Sequence, residues 1–224
     1  MNDYKKQDAL LLFSGGQDST TCLYWAKQQF ANLHALCIAY GQRHAQEVEN
    51  ARRIAQTARI PFRLLHADTI PRLAPNSLTD ASLPVDDEIA PGTYPNTFVP
   101  GRNLLFLTCA ATLARAQGIR HLVIGVSEAD YSGYPDCREA FIRSACTTLS
   151  LAMDHPFEIH TPLMWRSKKE VWQLADELGV FDIVRNETLT CYNGLPADGC
   201  GHCPACRLRR RGLQEYLAER SLRP

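Results

Sequence analysis

Short apolar runs alternate along the chain with longer stretches whose apolar positions recur at helical spacing. Ala9-Leu10-Leu11-Leu12-Phe13 marks a buried strand expected over 8–14, and a helix is expected over 18–29. A second strand over 33–40 ends at Gly41, and the helix expected over 44–59 carries Val48, Ala51, Ile54, Ala55 and Ala58 on one face. Strand is expected again over 62–67, 121–127 and 157–161, with helices over 102–117 and 136–153 between them. Gly118 is placed to stop the first of those helices. Another helix opens at Ser167, with Glu170 in the position of a capping box and Gly179 closing it, and a C-terminal helix is expected after the cysteine-rich segment. Strands alternating with helices predict an α/β fold, a doubly wound and mostly parallel sheet. Ligands in such sheets gather at the carboxyl ends of the strands, so loops 14–18, 40–44 and 127–136 should border one crevice. Residues 69–101 break the rhythm with six prolines, at 71, 75, 84, 91, 95 and 100, which excludes a long helix. A loop of that length is the kind that covers or binds.

Composition narrows the function classes. The 224 residues can bury one sizeable core with room for a small appendage, expected as residues 1–184 and a C-terminal segment 185–224 packed on them. Lys+Arg and Asp+Glu both number 24, so no overall field recruits nucleic acid or a membrane surface. Neither an apolar signal region nor a run of membrane-spanning length is evident, and the expected location is cytoplasmic.

Ser14-Gly15-Gly16-Gln17-Asp18-Ser19 joins the first strand to the first helix. Two glycines there let the backbone approach a ligand, and the helix N-terminus turns N–H groups and the positive end of its dipole toward it. The hydroxyls of Ser14, Ser19, Thr20 and Thr21 add donors suited to phosphate oxygens. A tight turn with no ligand is the plainer reading of Gly-Gly. The segment is not a Walker A loop, because no Gly-Lys-Ser/Thr follows.

Nine cysteines are distributed unevenly. Cys22, Cys37, Cys109, Cys137 and Cys146 sit within expected core elements, whereas Cys191, Cys200, Cys203 and Cys206 crowd together. In a reducing compartment such crowding points to metal before disulfides. Four thiolates close a tetrahedral zinc site with no open position, so a structural zinc knuckle is expected; an iron–sulfur cluster is the rival. His202 lies within the knuckle beside a thiolate set already complete. Arg207, Arg209, Arg210 and Arg211 follow, a basic run that suits a solvated helix face, a subunit contact or RNA.

The pattern Ser-Gly-Gly-x-Asp-Ser resembles the pyrophosphate loop of the ATP pyrophosphatases, which implies adenylation and not γ-phosphoryl transfer. Further segments narrow the likeness: Tyr40-Gly41-Gln42-Arg43-His44, Asn96 to Asn103, Ser132-Gly133-Tyr134-Pro135-Asp136-Cys137-Arg138, Thr161-Pro162-Leu163-Met164-Trp165 and Arg185 to Gly194. With the cysteine knuckle behind them, they resemble the 7-cyano-7-deazaguanine synthase family of queuosine precursor biosynthesis. The resemblance implies an adenine nucleotide alpha hydrolase-like, Rossmann-like fold and a ligase that converts 7-carboxy-7-deazaguanine, ammonia and ATP to the 7-nitrile. It implies ATP contacts from Phe13, Ser14, Gly15, Gly16, Gln17, Asp18, Ser19, Thr20, Thr21, Cys22 and Leu23, with adenine near residues 38–40. Asp18, Ser19 and Arg102 take catalytic roles in this reading, Asp18 beside a phosphate-bound magnesium ion. Asp130, Tyr131, Tyr134, Asp136 and Arg138 are expected to read the deazapurine, and Cys191, Cys200, Cys203 and Cys206 to hold one zinc per chain. No nucleic-acid partner is implied, and a homodimer is left open. Two rivals stand beside it: a tRNA-thiolating adenylase of the same superfamily, and a zinc-knuckle binding module without catalysis.

Overall fold

The computed structural model describes residues 4–41, 46–67, 73, 76–80, 82–83, 85, 94–129 and 134–222. In chain order these form β1 (Asp8–Leu12), α1 (Gln17–Gln29), β2 (Asn32–Ala39), α2 (Gln46–Thr57) and β3 (Phe62–His66). Then come α3 (Arg102–Ala116), β4 (His121–Val123), α4 (Glu139–Met153), β5 (Glu158–His160), α5 (Lys168–Glu177), α6 (Phe181–Glu187) and α7 (Pro204–Arg220). Every strand pair is parallel, in the order β3-β2-β1-β4-β5. The expected doubly wound sheet is therefore the observed one.

β1 explains the sheet's stability. It lies between β2 and β4, with Leu10 opposite both His34 and Leu122. Ala9, Leu11 and Phe13 pack with α1 and α2 residues on one face, and Leu10 and Leu12 with α3 and α4 residues on the other. A strand covered on both faces needs a continuous apolar run, which the segment supplies. Burying each of its leucines contributes roughly 1.5–3 kcal/mol. Because β1 pairs with β2 on one side and β4 on the other, the chain's progression reverses at β1, and the crevice at that reversal is where the loop after β1 emerges.

The helix signals at α5 are met. Ser167 and Glu170 form the full capping box, and Gly179 follows the helix at φ +73°. Gly118 takes φ +70° after α3. Other boundaries move for identifiable reasons. α4 begins at Glu139 because Pro135–Cys137 form a 3-10 turn first. β4 ends at Val123, Ile124 N–H still donates to the His160 carbonyl at 3.0 Å, and residues 125–127 leave the ladder to border a cavity. α6 was not expected from the pattern, and the expected division at 184/185 falls inside it. Trp172 of α5, Phe181 and Val184 of α6, and Leu213 and Tyr216 of α7 share a separate small core. About half of the expected long loop lies outside the described residues; within it, Ser77 donates to the Asn96 carbonyl at 3.0 Å. No helix among the described residues is long and apolar enough to cross a membrane.

Candidate active site

Gly15 has φ +77°, and a Cβ there would lie 2.8 Å from the Ala51 Cα of α2. Only glycine permits that approach, which sets the loop after β1 against α2. Gly16 caps α1 with extended backbone and no side-chain bond. Ser14 and Ser19 hydroxyls lie 3.1 Å apart, and the Ser14 N–H donates to Ser19 Oγ at 3.3 Å. Gln17 N–H, the first of α1, donates to Thr190 Oγ1 at 3.0 Å. Leu189 N–H in turn donates to the Gly15 carbonyl at 3.1 Å. The loop is thus braced by α2 and by residues 188–190, which the chain brings back from α6.

Asp18 accepts from Lys168 Nζ through both oxygens, at 2.9 and 3.0 Å. Lys168 is the first residue of α5, where its charge opposes the helix dipole, and its side chain is only 10% exposed. Phe13, Ser14, Gly16, Gln17, Asp18 and Ser19 line a cavity of about 360 Å³ at the carboxyl end of the sheet. Gly15 borders α2 instead. Thr20, Cys22 and Leu23 are fully buried outside the lining, and the Thr21 hydroxyl bonds the Gln17 carbonyl at 2.9 Å. The two threonines therefore do not offer the phosphate donors expected of them. The Gln17 amide and Thr20 hydroxyl are buried with no partner among the described residues.

The opposite wall is aromatic and carries one cation. Arg102, at the start of α3, sits 6.0 Å from the Tyr40 ring centroid and 5.8 Å from that of Tyr134. Burial works against its charge, but Tyr40, Tyr192 and Tyr134 together outweigh that and raise its pKa. Glu47 of α2 lines the same cavity; burial raises its pKa to about 7, with Arg102 pulling the other way. Phe98 stacks on Tyr134 at 5.8 Å, and the Thr97 and Tyr134 hydroxyls share a 2.5 Å hydrogen bond.

Among residues expected to read the base, Tyr134 faces the cavity. Asp136 does not: it is buried, and its Oδ2 accepts the Asn103 N–H at 3.0 Å, holding the start of α3. Arg138 is exposed and outside the lining. Asp130 and Tyr131 fall outside the described residues, as do residues 42–44. Lys168, Glu47, Tyr192 and Arg209 complete the cavity without having been singled out for it. The arginine run proves divided. Arg209 is buried, stacks 5.1 Å from Trp172, and donates to Thr188 Oγ1 at 2.7 Å and Thr190 Oγ1 at 3.1 Å. Burial lowers its pKa to about 10.

Behind this wall, the Cys191, Cys200, Cys203 and Cys206 sulfurs all lie within 4.8 Å of one another. Backbone N–H groups of Asn193 and Cys200 donate to Cys191 Sγ at 3.3 and 3.4 Å, and that of Cys203 to Cys200 Sγ at 3.3 Å. Such bonds favour thiolates. A Cβ at Gly199 would stand 2.4 Å from Cys206 Sγ, so glycine is required for the sulfurs to converge. The cluster can hold a metal ion.

The model of the family described as "Queuosine biosynthesis protein QueC" matches residues 8–217. The chain belongs to the QueC family. Relatives named 7-cyano-7-deazaguanine synthase include one from Bacteroides fragilis, 62% identical over 97% of this chain and 99% of its own length. One from Parabacteroides distasonis is 64% identical over 95% of this chain and 96% of its own length. Among solved structures, an NMN synthetase from Francisella tularensis aligns with TM-score 0.50 and 16% identity, covering 80% of this chain and 64% of that one. At that identity the likeness is one of fold alone. In this chain the strand–glycine–helix crossing and the aromatic wall line one cavity, with the four-cysteine cluster behind it.

Proposed function

We propose that this chain is an ATP-dependent ligase that converts 7-carboxy-7-deazaguanine and ammonia to 7-cyano-7-deazaguanine in the cytoplasm, as a step toward queuosine. Family membership supports the class of reaction. The observation that carries the mechanism is that the α1 N-terminus and the Asp18–Lys168 pair open onto the same cavity as Arg102, Glu47 and Tyr134.

In this reading the loop and Lys168 hold the β,γ-phosphates, and a carboxylate oxygen of the deazapurine attacks the α-phosphate. Pyrophosphate leaves, and Arg102 meets the charge that develops at phosphorus. Tyr134 and Tyr192 hold the planar base. Ammonia then attacks the acyl carbon, Glu47 accepts a proton from the incoming nitrogen, and AMP leaves to give the amide. Activation of the amide oxygen by a second ATP, with loss of two N–H protons and the activated oxygen, gives the nitrile. Among the described lining residues only Asp18 and Glu47 are acidic, so Asp18 would help place a magnesium ion bound to the phosphates. The four cysteines would hold one structural zinc, and residues 185–222 would then serve as a metal-stiffened wall of the nucleotide site.

Mass spectrometry of the product from the 7-carboxy substrate, ammonium and ATP tests the proposal, with nucleotide products counted. The nitrile, formed with pyrophosphate and AMP only when the acid is present, is expected. Nucleotide hydrolysis stimulated by tRNA and not by the acid would overturn it in favour of the thiolation rival.

A further inference from the structure

A second group of metal-ligating side chains stands apart from the catalytic cavity. His121 opens β4, and Glu158 and His160 lie two apart on β5, so all three side chains fall on one face of adjacent parallel strands. His121 Nδ1 and His160 Nε2 are 3.0 Å apart. The Glu158 carboxylate lies over both nitrogens, with Oε2 3.6 Å from His121 Nδ1 and Oε1 3.8 Å from His160 Nε2. None of the three lines the cavity. They contact the segment preceding β1, whereas the cavity begins where β1 ends.

A hydrogen bond between the two imidazoles accounts for the first distance but not for a carboxylate spread across both. Those separations do match a metal. Around an ion with metal–nitrogen and metal–oxygen distances of about 2.0–2.2 Å, tetrahedral donors stand about 3.4 Å from one another. The supporting groups are also those that orient such ligands. His121 Nε2 donates to Gln7 Oε1, which leaves Nδ1 bare toward the site, and the Tyr4 hydroxyl donates to Glu158 Oε1 at 2.6 Å. Tyr4, Phe30 and Trp25 pack around the imidazoles. Burial lowers the pKa of both histidines, with Glu158 opposing at each. Glu158, at 38% side-chain exposure, leaves a path from solvent.

We propose that His121 Nδ1, His160 Nε2 and Glu158 form a second metal site, which takes a zinc-type divalent cation with its fourth position open to water. Binding moves the His160 proton from Nε2 to Nδ1 and releases none. It also ties the chain before β1 to the β4–β5 edge through Tyr4 and Gln7.

The test is zinc titration of the purified protein with its cysteine site loaded, followed by cobalt(II) titration read by absorption. Wild type should take one further saturable equivalent, and the cobalt form should show weak tetrahedral d–d bands with no added thiolate charge transfer. Glu158→Gln and His160→Gln should each lose that equivalent while keeping the first. Gln7→Leu should keep it with affinity lowered about 10–100-fold. No further equivalent in wild type, a further equivalent retained in both ligand variants, or one that brings thiolate charge transfer would overturn the assignment.

Discussion

Glu47 and Lys168 are charged side chains badly placed for stability, and the roles proposed for them rest on that placement. Glu47 lies four residues before Ala51 and seven before Ile54, both fully buried, so its carboxylate sits on the apolar stripe of α2. Burial there holds its pKa near 7, where a group can accept a proton and still ionise. If Glu47 takes the proton from ammonia, kcat/KM should rise as pH passes upward through about 7 and level off above it. Glu47→Gln should remove that rise and lower the plateau about 10²-fold, as a pH–rate profile in saturating ammonium reads. An unchanged profile sinks the role. Lys168 in the first turn of α5 works against the helix dipole, a placement tolerated where an anion is to be met. Lys168→Met should raise KM for ATP with a smaller loss in kcat. Asp18→Asn added to it should cost less than the sum of the two single changes, because the pair acts as a unit. Full additivity in that double-mutant cycle counts against a shared phosphate site. Both residues could be read from the pattern as misplaced charges. That Asp18 and Lys168, 150 positions apart, meet could not, since no periodicity encodes it.

At the scale of elements, apolar period and capping chemistry made β1, the capping box of α5 and the glycine stops after α3 and α5 legible. What the pattern missed was short or doubly used. α6 spans seven residues, too few for two turns of periodicity to stand out. Asp136 looked like a base-reading acceptor because sequence does not show that the α3 N-terminus lies beside it. The loop after β1 offers a test of how local geometry supports the site. Gly15→Ala meets both a positive φ and the backbone of α2, whereas Gly118→Ala meets a positive φ of similar size with open space around it. The second change should cost about 1–2 kcal/mol, the usual penalty of the left-handed region. Gly15→Ala should cost more, by about 1–3 kcal/mol of overpacking, and should weaken ATP binding as well. Denaturant unfolding alongside nucleotide titration separates the two. Equal costs would mean that the loop yields freely against α2.

Across the whole molecule, the four cysteines and the cavity at the end of β1 are linked through one short stretch of chain. From the cluster, Cys191 leads back to Thr190, whose hydroxyl accepts from the first N–H of α1, and to Leu189, whose N–H holds the Gly15 carbonyl. From its other end, Cys206 leads into α7, where buried Arg209 bonds Thr188 and Thr190, and Gly212 lets α7 approach the backbone of Lys168. A metal held by the four cysteines would fix both arms of a clasp around the loop after β1 and Lys168, although no cysteine sulfur needs to touch substrate. A structural zinc supplies apparent binding energy of roughly 10–16 kcal/mol in small knuckles, enough to make this segment's order depend on it. Cys203→Ala should therefore lose stoichiometric zinc and most turnover together, while Cys146→Ala, away from the cluster, keeps both. Amide hydrogen exchange gives the decisive reading. In Cys203→Ala, protection should fall over 188–220 and also over the first turn of α1, with the β1–β2 pairing left intact. Loss confined to 191–206, with normal ATP binding, would show that the cluster stabilises only itself and that the clasp does not reach the site.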